Sequence, residues 1–200
     1  MQSQLANISE DLEDIVRLHM QAFPGFFMTA MGVSFVREYY RTVLEFPDNI
    51  SLVVIERDRK AGFVVGFGNP KAFYSWYRSK RLRLLPLIVR AILLNPSLLG
   101  RAIVNLKRVS SVEGSSVEVE LSSIGVDPYL MELGVGKALI ASFLHLASKR
   151  GYQSVYLTTD TQNNERVNRF YEKQGFILEK TFWSGSRQMN LYRILVENIK

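Results

Sequence analysis

Apolar residues recur along this chain first at helical spacing and then in short unbroken runs. Leu12, Ile15, Val16, Leu18 and Ala22 predict a helix from Glu10 to Phe23, with Ser9 as its N-cap and Pro24-Gly25 as its end. Phe35, Val36, Tyr39, Tyr40 and Val43 predict a second helix from Gly32 to Leu44 with a broad aromatic stripe. The run Leu52-Val53-Val54-Ile55 then reads as a buried strand from Ser51 to Glu56. Arg57 to Lys60 reads as a hairpin turn and Gly62 to Gly68 as the partner strand. From Asn69 the pattern changes. Leucine-rich stretches predict helix, interrupted at Pro86 and stopped at Asn95-Pro96, with a second piece from Leu98 to Val109. This is a helical insertion of about residues 69–115 between two strands.

Alternation returns at Val117 to Val126, which puts Glu118, Glu120 and Ser122 on one face of a strand and Val117, Val119 and Leu121 on the other. Asp127-Pro128 breaks it. Val135, Leu139, Ile140, Phe143, Leu146 and Ala147 define the inward face of a helix from Gly134 to Arg150, closed by Gly151. Ser154 to Thr159 reads as a buried strand and Asn164 to Gln174 as a helix closed by Gly175. Phe176 to Trp183 and Gln188 to Val196 read as a hairpin around Ser184-Gly185-Ser186. The expectation is a single α/β domain over residues 1–200, with a mixed, mostly antiparallel sheet flanked by helices.

Composition narrows the chemistry. The 200 residues are 47% apolar and 22% charged, as in a folded globular protein. There is no cysteine, which excludes disulfides, thiolate metal sites and a cysteine nucleophile. His19 and His145 lack ligand-spaced partners, so no metal site is expected. The acidic start after Met1 is unlike a signal peptide, and the longest uncharged apolar stretch, Ala91 to Gly100, is far short of the roughly 20 residues that span a bilayer. The chain reads as cytoplasmic.

The net charge of +6 is concentrated. No acidic residue lies between Asp58 and Glu113, while eleven Lys and Arg residues do. This segment admits three readings: a lid that meets phosphates, a face for an anionic membrane surface over about residues 78–108, or a helical excursion with solvated arginines. Nucleic-acid binding is a weaker fourth, because charge alone is non-specific. A homodimer is left open.

The stretch with most chemistry runs from Glu118 to Trp183. Ile124-Gly125-Val126-Asp127-Pro128, followed by Gly134-Val135-Gly136-Lys137, points free backbone N–H groups out of a helix start, an arrangement that binds phosphates. Downstream comes Asn164-Glu165-Arg166-Val167-Asn168-Arg169-Phe170-Tyr171-Glu172-Lys173-Gln174-Gly175-Phe176. The two motifs together resemble those of the GCN5-related N-acetyltransferase (GNAT) superfamily. Val126-Asp127-Pro128 matches its strand end, and Met131-Glu132-Leu133-Gly134-Val135-Gly136 matches its pyrophosphate loop, with Met131 where Arg or Gln is usual and Glu132 where glycine is frequent.

The resemblance implies a GNAT fold that binds acetyl-CoA through Ile124, Gly125, Val126, Leu133, Gly134, Val135, Gly136, Lys137, Asn164, Asn168 and Lys173. It implies that Asn164 holds the pantetheine arm and that Tyr171 lies near the thioester sulfur, where a phenol can protonate the departing thiolate. Amine acetylation also needs a base. Glu120, six residues before Val126 on the cofactor strand, is the candidate, with Glu118 as an alternative base or an ammonium ligand. Phe26, Phe27 and Tyr40 suit an aromatic wall for the acceptor. The expected activity is direct acetyl transfer to a primary amine on a small molecule, such as a nucleotide-linked amino sugar. A protein lysine or N-terminal acetyltransferase and a non-catalytic CoA-binding regulatory or membrane-associated module remain as alternatives.

Overall fold

A computed structural model describes residues 2–100, 102 and 115–196. Seven strands form one sheet: β1 (Gln2–Leu5), β2 (Asn49–Glu56), β3 (Arg59–Gly68), β4 (Glu118–Val126), β5 (Ser154–Asp160), β6 (Ile177–Ser184) and β7 (Arg187–Leu195). Their spatial order is β1-β2-β3-β4-β5-β7-β6. All neighbours are antiparallel except β4 and β5. The helices are α1 (Ile8–Ala22), α2 (Phe27–Ala30), α3 (Val33–Glu45), α4 (Pro70–Ser79), α5 (Arg81–Leu94), α6 (Val135–Lys149) and α7 (Glu165–Lys173). A 3-10 turn, Pro128–Leu133, leads from β4 into α6.

The unbroken apolar runs of β2 and β3 follow from burial on both faces. Leu52, Val54 and Val64 pack with Leu139, Ile140 and Phe143 of α6. The alternate residues Val53, Phe63, Val65 and Phe67 pack with Leu12, Ile15 and Val16 of α1 and Val36 and Val43 of α3. A third cluster joins α3 to the insertion through Met31, Phe35, Leu84, Ala91 and Leu98.

Several expectations shift. The N-cap of α1 is Asn7, whose side chain accepts from the Ser9 backbone N–H at 2.9 Å, so Ser9 lies inside the first turn. The polar strand β1 and the single turn of α2 carry no hydrophobic pattern that would announce them. Pro86 does not interrupt its helix: α5 runs through it. Proline there costs the hydrogen bond to the Leu82 carbonyl, and both residues lie on the solvent face, where water can take that carbonyl. The helix expected over 98–109 lies largely outside the described residues.

Candidate active site

The site begins where the sheet opens. β4 and β5 are parallel and pair only through Glu118↔Ser154, Val119↔Val155 and Glu120↔Tyr156. Beyond Glu120 the two strands diverge, while β5 stays paired to β7 as far as Asp160. The facing edge of β4 is thereby left without a partner strand among the described residues, and backbone groups on such an edge need partners. A cavity of about 860 Å³ fills the wedge, lined by β4 residues from Glu120 to Ile124 and by Leu157, Thr158, Thr159 and Asp160 of β5.

One end of the cavity is built for an anion. Gly134 adopts φ +77°, a left-handed conformation that glycine takes without penalty, and so turns the chain from the 3-10 turn into α6. At Gly136 a Cβ would stand 3.3 Å from the Phe170 ring, so the missing side chain lets α6 and α7 approach. Gly134, Gly136 and Lys137 line the cavity here, with Asn164, Arg166 and Val167 across from them. The start of a 15-residue helix adds its dipole to these two cations. Glu132 also lines this rim, and it shares an outer pocket with Arg57 and Arg166. The loop thus suits a pyrophosphate despite its two departures from the usual pattern.

Glu120 lies at the vertex of the wedge. It is only 6% exposed, and its carboxylate accepts from the Tyr74 hydroxyl at 2.9 Å and the Tyr156 hydroxyl at 2.9 Å. Each carboxylate oxygen keeps a lone pair for a further donor. A register shift between β3 and β4, from Val65↔Ser123 to Gly66↔Leu121, makes Ser122 a bulge residue. Ser122 and Ser123 consequently both turn toward α3. Ser122 Oγ lies 2.6 Å from the Tyr39 hydroxyl, and Ser123 hydrogen-bonds Tyr40.

Tyr171 also lines the cavity, from α7. Its ring packs among Phe170, Phe176 and Tyr192, and burial pushes its hydroxyl well above the usual phenol range. It is therefore a neutral hydrogen-bond donor at any ordinary pH. Asn164 lines the cavity too, while its amide donates to Thr159 Oγ1 at 2.7 Å and the Asp160 carbonyl at 3.0 Å.

Most of the other residues that the sequence singles out lie elsewhere. Asn168 is buried, donates to the Asp160 and Asn164 carbonyls and accepts from Asn190, so it ties α7 to β5 and β7 away from the cavity wall. Lys173 is exposed on the far side of α7. Leu133 is exposed, Val135 belongs to the core, and Gly125 makes room for the Phe63 ring; Ile124 and Val126 line the cavity. Glu118 is ion-paired to Arg193 and accepts from Ser154 and the Ser115 N–H, at the closed end of the β4–β5 seam.

The opposite end of the cavity is aromatic. Phe26 and Phe27 line it as expected, together with Phe23, Phe35, Tyr39, Tyr74, Tyr77 and Ile88. Tyr40 stands one layer behind, fully buried, with its hydroxyl 2.7 Å from His19 Nδ1. His19 itself reaches the wall, and burial lowers its pKa to about 4, so its imidazole is neutral. The insertion thus contributes aromatic residues to the site. Among the described residues its cations do not line the cavity: Arg78, Arg81 and Arg90 are exposed and Arg83 pairs with Glu45 at 2.9 Å. Among the described residues no cluster of three or more His, Asp or Glu side chains could hold a metal ion, and no helix is long and apolar enough to cross a membrane.

A split mixed sheet with a helix-capped anion loop in its wedge is the architecture of an acyl-CoA-dependent transferase. A sequence profile described as the acetyltransferase (GNAT) family matches residues 12–176, and the chain belongs to that family. It is an N-acetyltransferase that uses acetyl-CoA as its acyl donor. No curated protein sequence matches it. Solved structures share the fold at low identity. A GNAT-family protein from Desulfovibrio desulfuricans is 19% identical, with 98% of this chain and 97% of that one aligned at a TM-score of 0.63. The ribosomal-protein-S18-alanine N-acetyltransferase of Escherichia coli is 14% identical, over 98% and 97%, at 0.58. An aminoglycoside 6'-N-acetyltransferase complexed with coenzyme A is 13% identical, over 98% and 97%, at 0.62.

Proposed function

We propose that the enzyme acetylates a primary amine on a small molecule with an apolar or flat-faced body, by direct transfer with Glu120 as base and Tyr171 as acid. Acetyl-CoA supplies the acetyl group as an activated thioester. An ammonium cannot attack it, so the acceptor must first lose a proton. The observation that carries the reading is Glu120: a buried carboxylate at the vertex of the wedge, fixed by two phenols and open to the cavity. It takes the proton of the ammonium. The acetyl C–S bond breaks as the C–N bond forms, the neutral Tyr171 hydroxyl gives its proton to the departing thiolate, and the second proton shed by the acetylated nitrogen restores the phenol.

The acceptor end supports a small, weakly polar molecule. Its walls come from five helices, α1 to α5, and are mainly aromatic. Aromatic faces suit a sugar ring or an apolar group. Among the described residues no lysine or arginine lines that end, and Lys137, Arg166 and Arg187 all lie toward the cofactor. A diphosphate on the acceptor would find no counter-charge among the described residues, which favours a free amino sugar or an apolar amine over a nucleotide-linked one.

The test is a screen of amine acceptors for CoA release, followed by two variants. Glu120→Gln is expected to lower kcat/KM about 100-fold near neutral pH, with the loss shrinking as pH rises toward the pKa of the amine, because a free amine needs no base. Tyr171→Phe is expected to lower kcat about 100-fold at unchanged CoA affinity. Turnover that survives both changes would remove these two assignments.

A further inference from the structure

Helix α5 packs one apolar face inward and leaves another in solvent. Leu84, Leu87, Ile88 and Ala91 join the cluster around Met31 and Phe35. Leu82, Leu85, Val89 and Leu93 follow one another at three- and four-residue spacing and so share the opposite face. They are 76%, 53%, 48% and 76% exposed. Core packing explains the first face and leaves the second without a purpose, since a surface helix normally turns polar residues to water.

The flanks of this stripe are cationic. On the helical wheel Arg81 falls to one side of it and Arg90 to the other, both exposed. Lys80 stands at the junction with α4. No carboxylate interrupts the surroundings in sequence, because the chain has no acidic residue between Asp58 and Glu113. Arg83 turns instead toward Glu38 and Glu45.

We propose that α5 is a docking element for an anionic lipid surface, which takes Leu82, Leu85, Val89 and Leu93 into the headgroup–acyl boundary with Arg81 and Arg90 among the phosphates. Apolar insertion and cationic flanks are the two features such a helix needs. A second copy of the chain is the poorer occupant. Pairing two such faces would bring the exposed Arg81 and Arg90 of one copy close to those of the other, a repulsion that a lipid phosphate turns into attraction. The docking also has a geometric result: Ile88 of α5 and Tyr77 of α4 line the acceptor end of the cavity, so that end is held beside the bilayer. The docking does not depend on which amine is acetylated.

The full chain is floated with phosphatidylcholine vesicles containing about one-third phosphatidylglycerol, and with phosphatidylcholine alone. Binding is expected to the anionic vesicles only and to weaken as salt is raised. Leu82→Ser with Leu93→Ser should reduce vesicle partition at least about tenfold. Arg81→Gln with Arg90→Gln should reduce it about twentyfold. Both double variants should keep wild-type CoA affinity, which shows that the fold and the cofactor site are intact. Failure of the wild-type chain to bind anionic vesicles overturns the proposal, as does binding that ignores the leucine pair. So does a wild-type dimer that the leucine pair turns into a monomer without vesicle binding, since the face would then be a contact between copies.

Discussion

Glu120 is held by side chains from two other elements, Tyr74 of α4 and Tyr156 of β5, at separations of 46 and 36 residues along the chain. A carboxylate with one fewer donor would gain rotamer freedom and lose its aim, so Tyr74→Phe is expected to lower kcat about fivefold with little change in CoA affinity. Steady-state kinetics beside a CoA titration checks this; a Tyr74→Phe enzyme with wild-type kcat would show that Tyr156 suffices. His19 gives the site a pH sensitivity of another kind. Its imidazole protonates near 6.5 when unfolded and only near 4 when buried in the folded chain. Between those values the unfolded state binds more protons, so stability is full above the window and falls as pH drops through it, by up to about 3 kcal/mol. Urea unfolding from pH 7 to pH 4 should show that slope in the wild-type chain and a shallower one in His19→Gln, which has nothing to protonate there.

At the scale of elements, the turn between β4 and α6 and the start of α7 divide the work. Gly134 carries a positive φ with nothing within 4 Å of an added Cβ, so Gly134→Ala should cost about 1 kcal/mol from the backbone alone, readable in thermal unfolding. Asn168 makes three hydrogen bonds, one within the first turn of α7 and two that join α7 to β5 and β7, and Asn168→Ala should cost about 2 kcal/mol by leaving buried groups unpaired. Asn164, Gly134, Gly136 and Tyr171 were legible in the sequence because each lies within a local pattern, a helix or a turn, that fixes its direction. Glu120 was legible because strand alternation holds from Glu118 to Leu121. The alternation fails one residue later, at the Ser122 bulge, which no sequence period announces. Tyr74, Tyr156 and His19 were not legible as parts of the site, because their roles arise from contacts between elements distant in sequence. Asn168 and Lys173 follow the motif in spacing, yet the helix turns one into the protein and the other to solvent, a distinction that spacing alone does not carry.

At the scale of the molecule, helices cover both faces of the sheet, and α5 gives the chain a third surface, apolar and cationic, beside the acceptor end of the cavity. The sheet, for its part, is held across its middle by three residue pairs between β4 and β5. An uninterrupted ladder would make the two halves a single mechanical plate; three rungs make a hinge line with a crack above it. A ligand that fills the crack and pairs with the free edge of β4 behaves as a missing strand, so saturation with the cofactor should knit two weakly coupled halves into one unit of unfolding. At about a hundred times its dissociation constant, CoA should raise the unfolding free energy by about 2.7 kcal/mol. Amide exchange along Leu121 to Val126 and Leu157 to Asp160 should slow together, as one rank of amides, when it binds.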